Sequence, residues 1–133
     1  MTVEIDHVLV RDVMHRGIVS CAGDASLGEV AGTMARHRVH AVAIDDPDGR
    51  RPAAVVSDLD VIAAIASGEQ PTAARTAGTE PLAVSSDERL DRAAQLMSEH
   101  AVSHLLVVDA VNGHPVGMLS TLDIAAVYAD VPG

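Results

Sequence analysis

An internal duplication constrains this chain more than any other feature. Gly117-Met118-Leu119-Ser120-Thr121-Leu122-Asp123 and Ala54-Val55-Val56-Ser57-Asp58-Leu59-Asp60 share one pattern 63 positions apart, an apolar strand running into a Ser-x-x-Asp turn that opens a helix. The same ungapped offset pairs Asp24 with Asp87, Leu27 with Leu90, Ala31 with Ala94, Met34 with Met97 and His37 with His100. It continues through Val39 with Val102, Asp46 with Asp109 and Pro52 with Pro115. Turns, helical stripes and strand ends agree together, which chance rarely produces. Two copies are too few for a solenoid, so the pattern predicts two halves packed about a pseudo-twofold axis.

Within each half the spacing predicts strand, helix, strand, strand, helix. A lead-in over Val8–Met14 ends in a short helical turn at 11–15, followed by a strand over 18–21. Ser26 and Glu29 have capping-box spacing, and Leu27, Val30, Ala31, Met34 and Ala35 recur at three- and four-residue steps, so a helix runs to about His37. Ala41–Ile44 is an apolar strand closed by the turn chemistry of Asp45-Asp46-Pro47-Asp48-Gly49, with a return strand over 52–56 and a helix over 59–66. In the second half the strands fall at 82–84, 104–108 and 115–119, the latter two joined by Asn112-Gly113. Leu90, Ala93, Ala94 and Met97 form the helical stripe, and 122–128 the closing helix. The expected fold is α+β, two pseudo-twofold-related β-α-β-β-α half-domains packed through their sheets. The first repeat covers 8–68, a linker 69–78 and the second repeat 79–130.

Composition narrows the chemistry. The hydrophobic fraction is 48%, with no Trp or Phe and a single Tyr, so the core must be aliphatic and any flat ligand is gripped by aliphatic side chains. A formal charge of -10, with no basic stripe interleaved with aromatics, argues against nucleic acid as a partner. The lone Cys21 excludes an intramolecular disulfide and fits a reducing compartment. Residues 1–11 carry acids and no signal-like apolar run, and no apolar stretch reaches membrane-spanning length. A cytoplasmic protein without a membrane partner is expected.

The chain resembles the CBS domain, named after cystathionine beta-synthase, in its tandem form, the Bateman module. Asp12-Val13-Met14, Asp24-x-Ser26-Leu27, Met34 with Val39 and the 54–60 motif carry the resemblance in the first half. Asp87 to Leu90, Met97 with Val102, Val107-Val108-Asp109 and the 117–123 motif carry it in the second. It extends over roughly residues 8 to 129. The resemblance implies a ligand-sensing regulatory module rather than an enzyme, with up to two clefts between the repeats that take adenosine-type ligands such as AMP, ADP, ATP or S-adenosylmethionine. It further implies that Asp123 and Asp60 bind ribose hydroxyls, and that Ser120 and Ser57 lie by the phosphate or ribose. Two departures from the family pattern stand out: Ala54 occupies a position usually Gly, and Ala43 and Leu106 occupy positions often Pro.

The residues support that chemistry independently. A Ser at a strand end and an Asp in the next helical turn sit beside unpaired backbone N–H groups and the positive end of a helix dipole, which suits an anionic phosphate. A carboxylate only accepts hydrogen bonds, so Asp123 can receive both hydroxyls of a cis-diol. The alternative role of the same residues is capping, the Ser hydroxyl closing the helix end and the Asp favouring its first turn. The copies are not equivalent. Asp58 adds a second carboxylate and Ala54 a methyl in the first, where the second has Thr121 and Gly117. The Asp123 copy is therefore expected to be the better adenosine site. Backbone around 16–20, 79–84, 40–42 and 103–105 is expected to read the adenine edge, with Ile18, Val19, Leu82 and Leu105 covering its faces or, alternatively, packing as core. Arg36, Arg38, Arg50 and Arg51 are placed on solvated surface or opposite a phosphate.

The histidine pairs His37/His40 and His100/His104 have spacings that share a helical face, but no further ligand completes a metal set. The absence of Lys excludes a Walker-type phosphate loop, and no Gly-x-Ser-x-Gly or base-paired nucleophile occurs. The short helices at 59–66 and 122–128 leave apolar faces, so a homodimer is expected. A dimerisation or docking module that binds no nucleotide is the alternative reading.

Overall fold

The computed structural model describes residue 5, residues 7–68 and residues 78–130; the linker expected at 69–78 lies, but for Gly78, outside the described residues. The elements are α1 (Val10–Val13), β1 (His15–Arg16), β2 (Ser20–Cys21), α2 (Leu27–His37), β3 (Ala41–Ile44), β4 (Ala54–Ser57) and α3 (Asp58–Ser67). They continue with β5 (Ala83–Ser85), α4 (Leu90–His100), β6 (His104–Val108), β7 (Pro115–Ser120) and α5 (Thr121–Asp130). The repeat is carried into structure: α2 maps onto α4, and α3 onto α5, end to end at the same offset. This is the α+β succession that the duplicated pattern predicts.

The chain folds as two compact units. One joins the residues up to Ile18 to those from Leu82 onward, and the other spans Val19–Pro81. In the first unit the sheet order is β1-β7-β6-β5, with β5 parallel to β6 and the remaining neighbours antiparallel. The second unit has β2-β3-β4, with β2 parallel to β3 and β3 antiparallel to β4. Both cores are built from aliphatic and methionine side chains, as the lack of aromatics requires. Val10 and Met14 pack with Val84, Leu90, Ala93, Met97, Leu105, Val107 and Leu119 in the first. Ala25, Val30, Met34, Val42, Ile44, Ala54 and Val56 form the second.

The leading segment differs from expectation in a way that matters for function. The helical turn lies at Val10–Val13 rather than 11–15, because Met14 turns extended and His15 and Arg16 pair with Met118 and Gly117 at the edge of β7. An edge strand presents a row of unpaired N–H and C=O groups, and two residues with a free backbone are enough to use them. Gly17, at φ +79, then ends the pairing, and its N–H donates to the Val116 carbonyl at 3.0 Å. The same segment is tied to the residues before α4: the Val10 and Arg11 N–H groups donate to the Glu88 and Ser86 carbonyls at 2.8 and 2.9 Å. Residues that open the first repeat in sequence therefore belong in space to the unit of the second.

The second unit is strapped in a related manner. Val55 of β4 and Thr79 exchange backbone hydrogen bonds at 2.9 and 3.1 Å, so the residues before β5 lie along β4. Each of these close approaches uses a glycine, on opposite partners. A Cβ on Gly117 of β7 would collide with the His15 carbonyl oxygen and stand 3.2 Å from the Met14 sulfur. A Cβ on Gly78 would stand 2.7 Å from the Val55 carbonyl oxygen.

Helix ends follow side-chain chemistry. The Ser26 hydroxyl accepts from the Glu29 N–H at 3.1 Å, the half of the expected capping box that forms. In the β6–β7 turn the Asp109 carboxylate accepts from the Val111 and Asn112 N–H groups at 2.8 and 3.1 Å. Those bonds, Asn112 foremost and then Val111, hold its pKa below the ordinary value of 3.8. Helices α2 and α4 both end on a left-handed non-glycine residue, Arg38 at φ 53 and Ala101 at φ 52.

Two stability predictions follow from these backbone positions. Gly117→Ala forces β1 off the sheet edge or displaces β7, and should lower stability by about 1–3 kcal/mol, the usual cost of overpacking a closed site. Equilibrium urea unfolding measures it, and a wild-type midpoint would mean that β1 is not held by this contact. Ala101→Gly relieves a left-handed conformation that disfavours a Cβ, and should raise stability by about 0.5–1 kcal/mol after the entropy of glycine is counted. The same titration reads it as a higher midpoint.

Candidate functional site

Each unit contains one strand-turn-helix motif, and the two are matched bond for bond. In the first unit β7 ends at Ser120, whose N–H donates to Asp123 Oδ2 at 2.8 Å while its hydroxyl accepts from the Asp123 N–H at 3.2 Å. In the second the Ser57 N–H donates to Asp60 Oδ2 at 2.8 Å and its hydroxyl accepts from the Asp60 N–H at 3.2 Å. These are reciprocal capping boxes that satisfy two of the donors a helix start leaves open. The following residue is anchored alike in both, the Thr121 N–H to the Ser103 carbonyl at 3.0 Å and the Asp58 N–H to the His40 carbonyl at 2.8 Å. The capping role of Ser57, Asp60, Ser120 and Asp123 is thus realised in both copies.

Capping does not exhaust the carboxylates. A carboxylate has about four lone-pair positions, and the box consumes one of them. The surroundings of the two groups then diverge. Asp123 Oδ1 is 2.8 Å from His15 Nε2, across 108 residues of sequence, with the carboxylate side chain 12% exposed and the imidazole 76% exposed. Two acceptor positions remain on Asp123, enough for a cis-diol. At Asp60 the hydrogen bonds are those of its own turn.

In the second unit the histidine is placed differently. His40 Nδ1 lies 2.8 Å from Asp58 Oδ2, and Asp58 Oδ1 accepts from the Leu59 N–H at 2.9 Å. The extra carboxylate that distinguishes this copy is therefore tethered to an imidazole rather than standing alone at the helix start.

The other expected site residues fall as follows. Thr121 is exposed at the first position of α5, and Gly117 is buried under β1. Ile18 and Leu82 are half-buried in the first unit, and Val19, half-buried, packs against the core of the second. Leu105 is fully buried in the first core, the packing alternative for that residue. Sequence reasoning missed His15 and weighed His40 only as half of a metal pair and as part of a cleft wall, not as the partner of Asp58. Neither lies on a periodic stripe, and each finds its carboxylate only through strand pairing.

The histidine pairs weighed for metal are employed separately. His100 contacts the Leu96 carbonyl at 3.0 Å, His104 the Ser103 hydroxyl at 2.9 Å and His40 Asp58. Among the described residues no three His, Cys, Asp or Glu side chains form a group able to hold a metal ion. No helix among them is long and apolar enough to cross a membrane.

Comparison with known proteins places this architecture. The CBS domain family model matches residues 10–67 and 77–130. A CBS domain protein from Pyrobaculum aerophilum, solved in complex with AMP, is 30% identical, with TM-score 0.80 over 92% of this chain and 98% of that one. A CBS domain pair in complex with 5-methylthioadenosine and S-adenosyl-L-methionine matches in fold with TM-score 0.81 at 23% identity, over 92% of this chain and 96% of that one. The CBS domain of a bacterial CNNM/CorC family Mg2+ transporter in complex with ATP does so with TM-score 0.79 at 16% identity, over 97% and 92%. Among curated proteins, a homoserine O-acetyltransferase of Methanosphaerula palustris is 26% identical over 117 residues. That match takes in 88% of this chain but only 23% of the transferase, so the chain spans about a quarter of that relative's length. The two matched segments, the duplicated strand-turn-helix geometry and the shared fold lead to one conclusion: the chain belongs to the CBS domain family and carries two CBS domains in tandem.

Proposed function

We propose that this chain is a ligand-sensing regulatory module that binds adenosine-type nucleotides, AMP, ADP, ATP or S-adenosylmethionine, and that the Ser120–Asp123 turn is its principal site. The observation that carries the reading is the Asp123 carboxylate: capped, oriented, and still holding acceptor capacity for a ribose diol. The AMP complex of the relative from Pyrobaculum aerophilum supports the ligand class. Ser120 and Thr121 bring hydroxyls to the same helix start, where backbone N–H groups and the helix dipole favour a phosphate. Ile18 and Leu82, of the same unit, supply aliphatic surface for the base, and Gly117 lets β1 lie close beside the turn. Ser57 and Asp60 form the weaker, second site, burdened by the neighbouring carboxylate of Asp58.

Binding acts by selection. A ligand shifts the module toward the arrangement it binds better, in proportion to its differential affinity, and the partner that responds is a separate protein or domain.

A specific observation favours a second reading, self-association. Leu59, Ile62 and Ile65 stand 68%, 58% and 71% exposed at three-residue steps along α3, and Leu122 and Tyr128 are 64% and 58% exposed on α5. Large apolar side chains aligned on one helix face mark an interaction surface. A homodimer through these faces is compatible with sensing, and without nucleotide binding it becomes the docking module of the alternative reading.

Two measurements test these proposals. Calorimetric titration of AMP should show that Asp123→Ala weakens binding by about 2–4 kcal/mol, roughly thirty-fold to a thousand-fold, through loss of two hydrogen bonds to a charged acceptor. Asp60→Ala removes an equivalent helix cap, so it controls for folding and should affect AMP far less. Loss of binding in Asp60→Ala alone would reverse the ranking, and no response to any of the four ligands would leave docking as the function. For the second reading, sedimentation velocity over a concentration series should show dimers that Ile62→Asp with Ile65→Asp converts to monomers. A wild-type chain that stays monomeric throughout removes the dimer.

A further inference from the structure

The two Ser-x-x-Asp turns share their capping bonds and differ in what stands over the carboxylate. Asp123 carries His15, delivered by β1 and held at 2.8 Å. At the 63-residue offset His15 aligns with Gly78, and by strand pairing with Thr79, which stands opposite Val55 as His15 stands opposite Met118; the hydrogen bonds of Asp60 are those of its own turn, with neither of them. In the second unit the imidazole of His40 is engaged with Asp58 instead. In a chain of formal charge -10, one carboxylate proposed to hold ribose thus has a group able to carry positive charge directly on it, and the other does not.

This asymmetry has a chemical consequence for a nucleotide. A carboxylate that accepts the diol of a ribose repels a phosphate on the same sugar, since only the ring separates them and the local dielectric is below that of water. An imidazole bonded to the carboxylate offsets that repulsion. Imidazole is a side chain able to carry positive charge in the physiological range. Even neutral, its N–H dipole is spent on the carboxylate oxygen and reduces the negative potential over the turn. A nucleoside without a phosphate gains nothing from this arrangement.

We infer that His15 is a selectivity residue of the Asp123 turn, making it prefer a nucleoside that carries a phosphate over the same nucleoside without one. The inference rests on the proposed adenosine-type site at that turn. Because His15 is mostly exposed and lies outside the hydrophobic cluster, it can be replaced without opening the core.

The test is calorimetric titration of AMP and of adenosine into the 133-residue chain carrying Asp60→Ala, which leaves the Asp123 turn as the site read. With His15 intact, AMP should bind the more tightly. His15→Ala should weaken AMP by about tenfold while changing adenosine by less than about threefold, the change expected when one partly screened charge contact is removed. His15→Arg, which restores a cation, should keep the preference for AMP. Equal weakening of both ligands would show that His15 only positions Asp123, and tighter binding of both would show that it blocks the turn; either overturns the inference and leaves the site standing. Failure of the His15-intact protein to bind either ligand is a different result. It removes the proposed site and this selectivity with it.

Discussion

The pairing of His15 and Arg16 with Gly117 and Met118 is the contact on which the first unit depends. It closes the edge of β7, which otherwise offers unpaired backbone groups to any neighbour. It also draws Val10 and Met14 into a core that has no aromatic side chain to fill it, and it sets His15 on Asp123. Each effect requires a glycine at 117, since a methyl there meets the His15 carbonyl oxygen. A single backbone approach thus links the integrity of one unit to the electrostatics of its candidate site.

That link explains what could be read from the sequence and what could not. The duplication placed the helices and strands of both halves within a residue or two, because hydrophobic period and cap chemistry are local and were copied together. The Ser-x-x-Asp turns were legible for the same reason, down to which residues cap. β1 was not. Two residues have no period, and their partner lies about 100 positions away, so nothing nearby in the chain announces the pairing. The carboxylate partners of His15 and His40 were missed in consequence, because they arise from strand register rather than from the histidines' own neighbourhoods. Gly117 carried the one available signal, a position that tolerates no side chain. Sequence reasoning assigned that close approach to a ligand, whereas β1 of the same chain makes it.

The divergence of the copies also takes on a different meaning. Ala54 and Asp58 read in isolation as damage to the first motif. In the structure, the glycine needed for the strap on β4 sits on the strap itself, at Gly78, so Ala54 is free to bury its methyl in the core. Asp58 is bonded to His40 and to the Leu59 N–H. Among the described residues each unit therefore shows a close strand approach and an imidazole-carboxylate contact, but distributes them over different positions. What separates the turns is which carboxylate the imidazole serves. In the first unit it is the capping carboxylate that a ribose would use; in the second it is the neighbour.

Position within the helix connects such a site to an external surface. Leu122 and Leu59 lie between the Ser and the Asp of their motifs, in the same first turn as the capping carboxylates, and both are more than half exposed. Any ligand that shares Asp123 with the cap changes the hydrogen bonding of the turn that presents Leu122. Thr121 and Asp123, on either side of Leu122, are held by the Ser103 carbonyl and Ser120, so that turn has little freedom to absorb the change locally. The sensing proposed above then needs no long relay. The carboxylate proposed to read the ligand and the apolar face proposed to meet a partner are parts of one helical turn, and coupling between them would be set by whether the cap geometry favours the same placement of Leu122 with and without ligand.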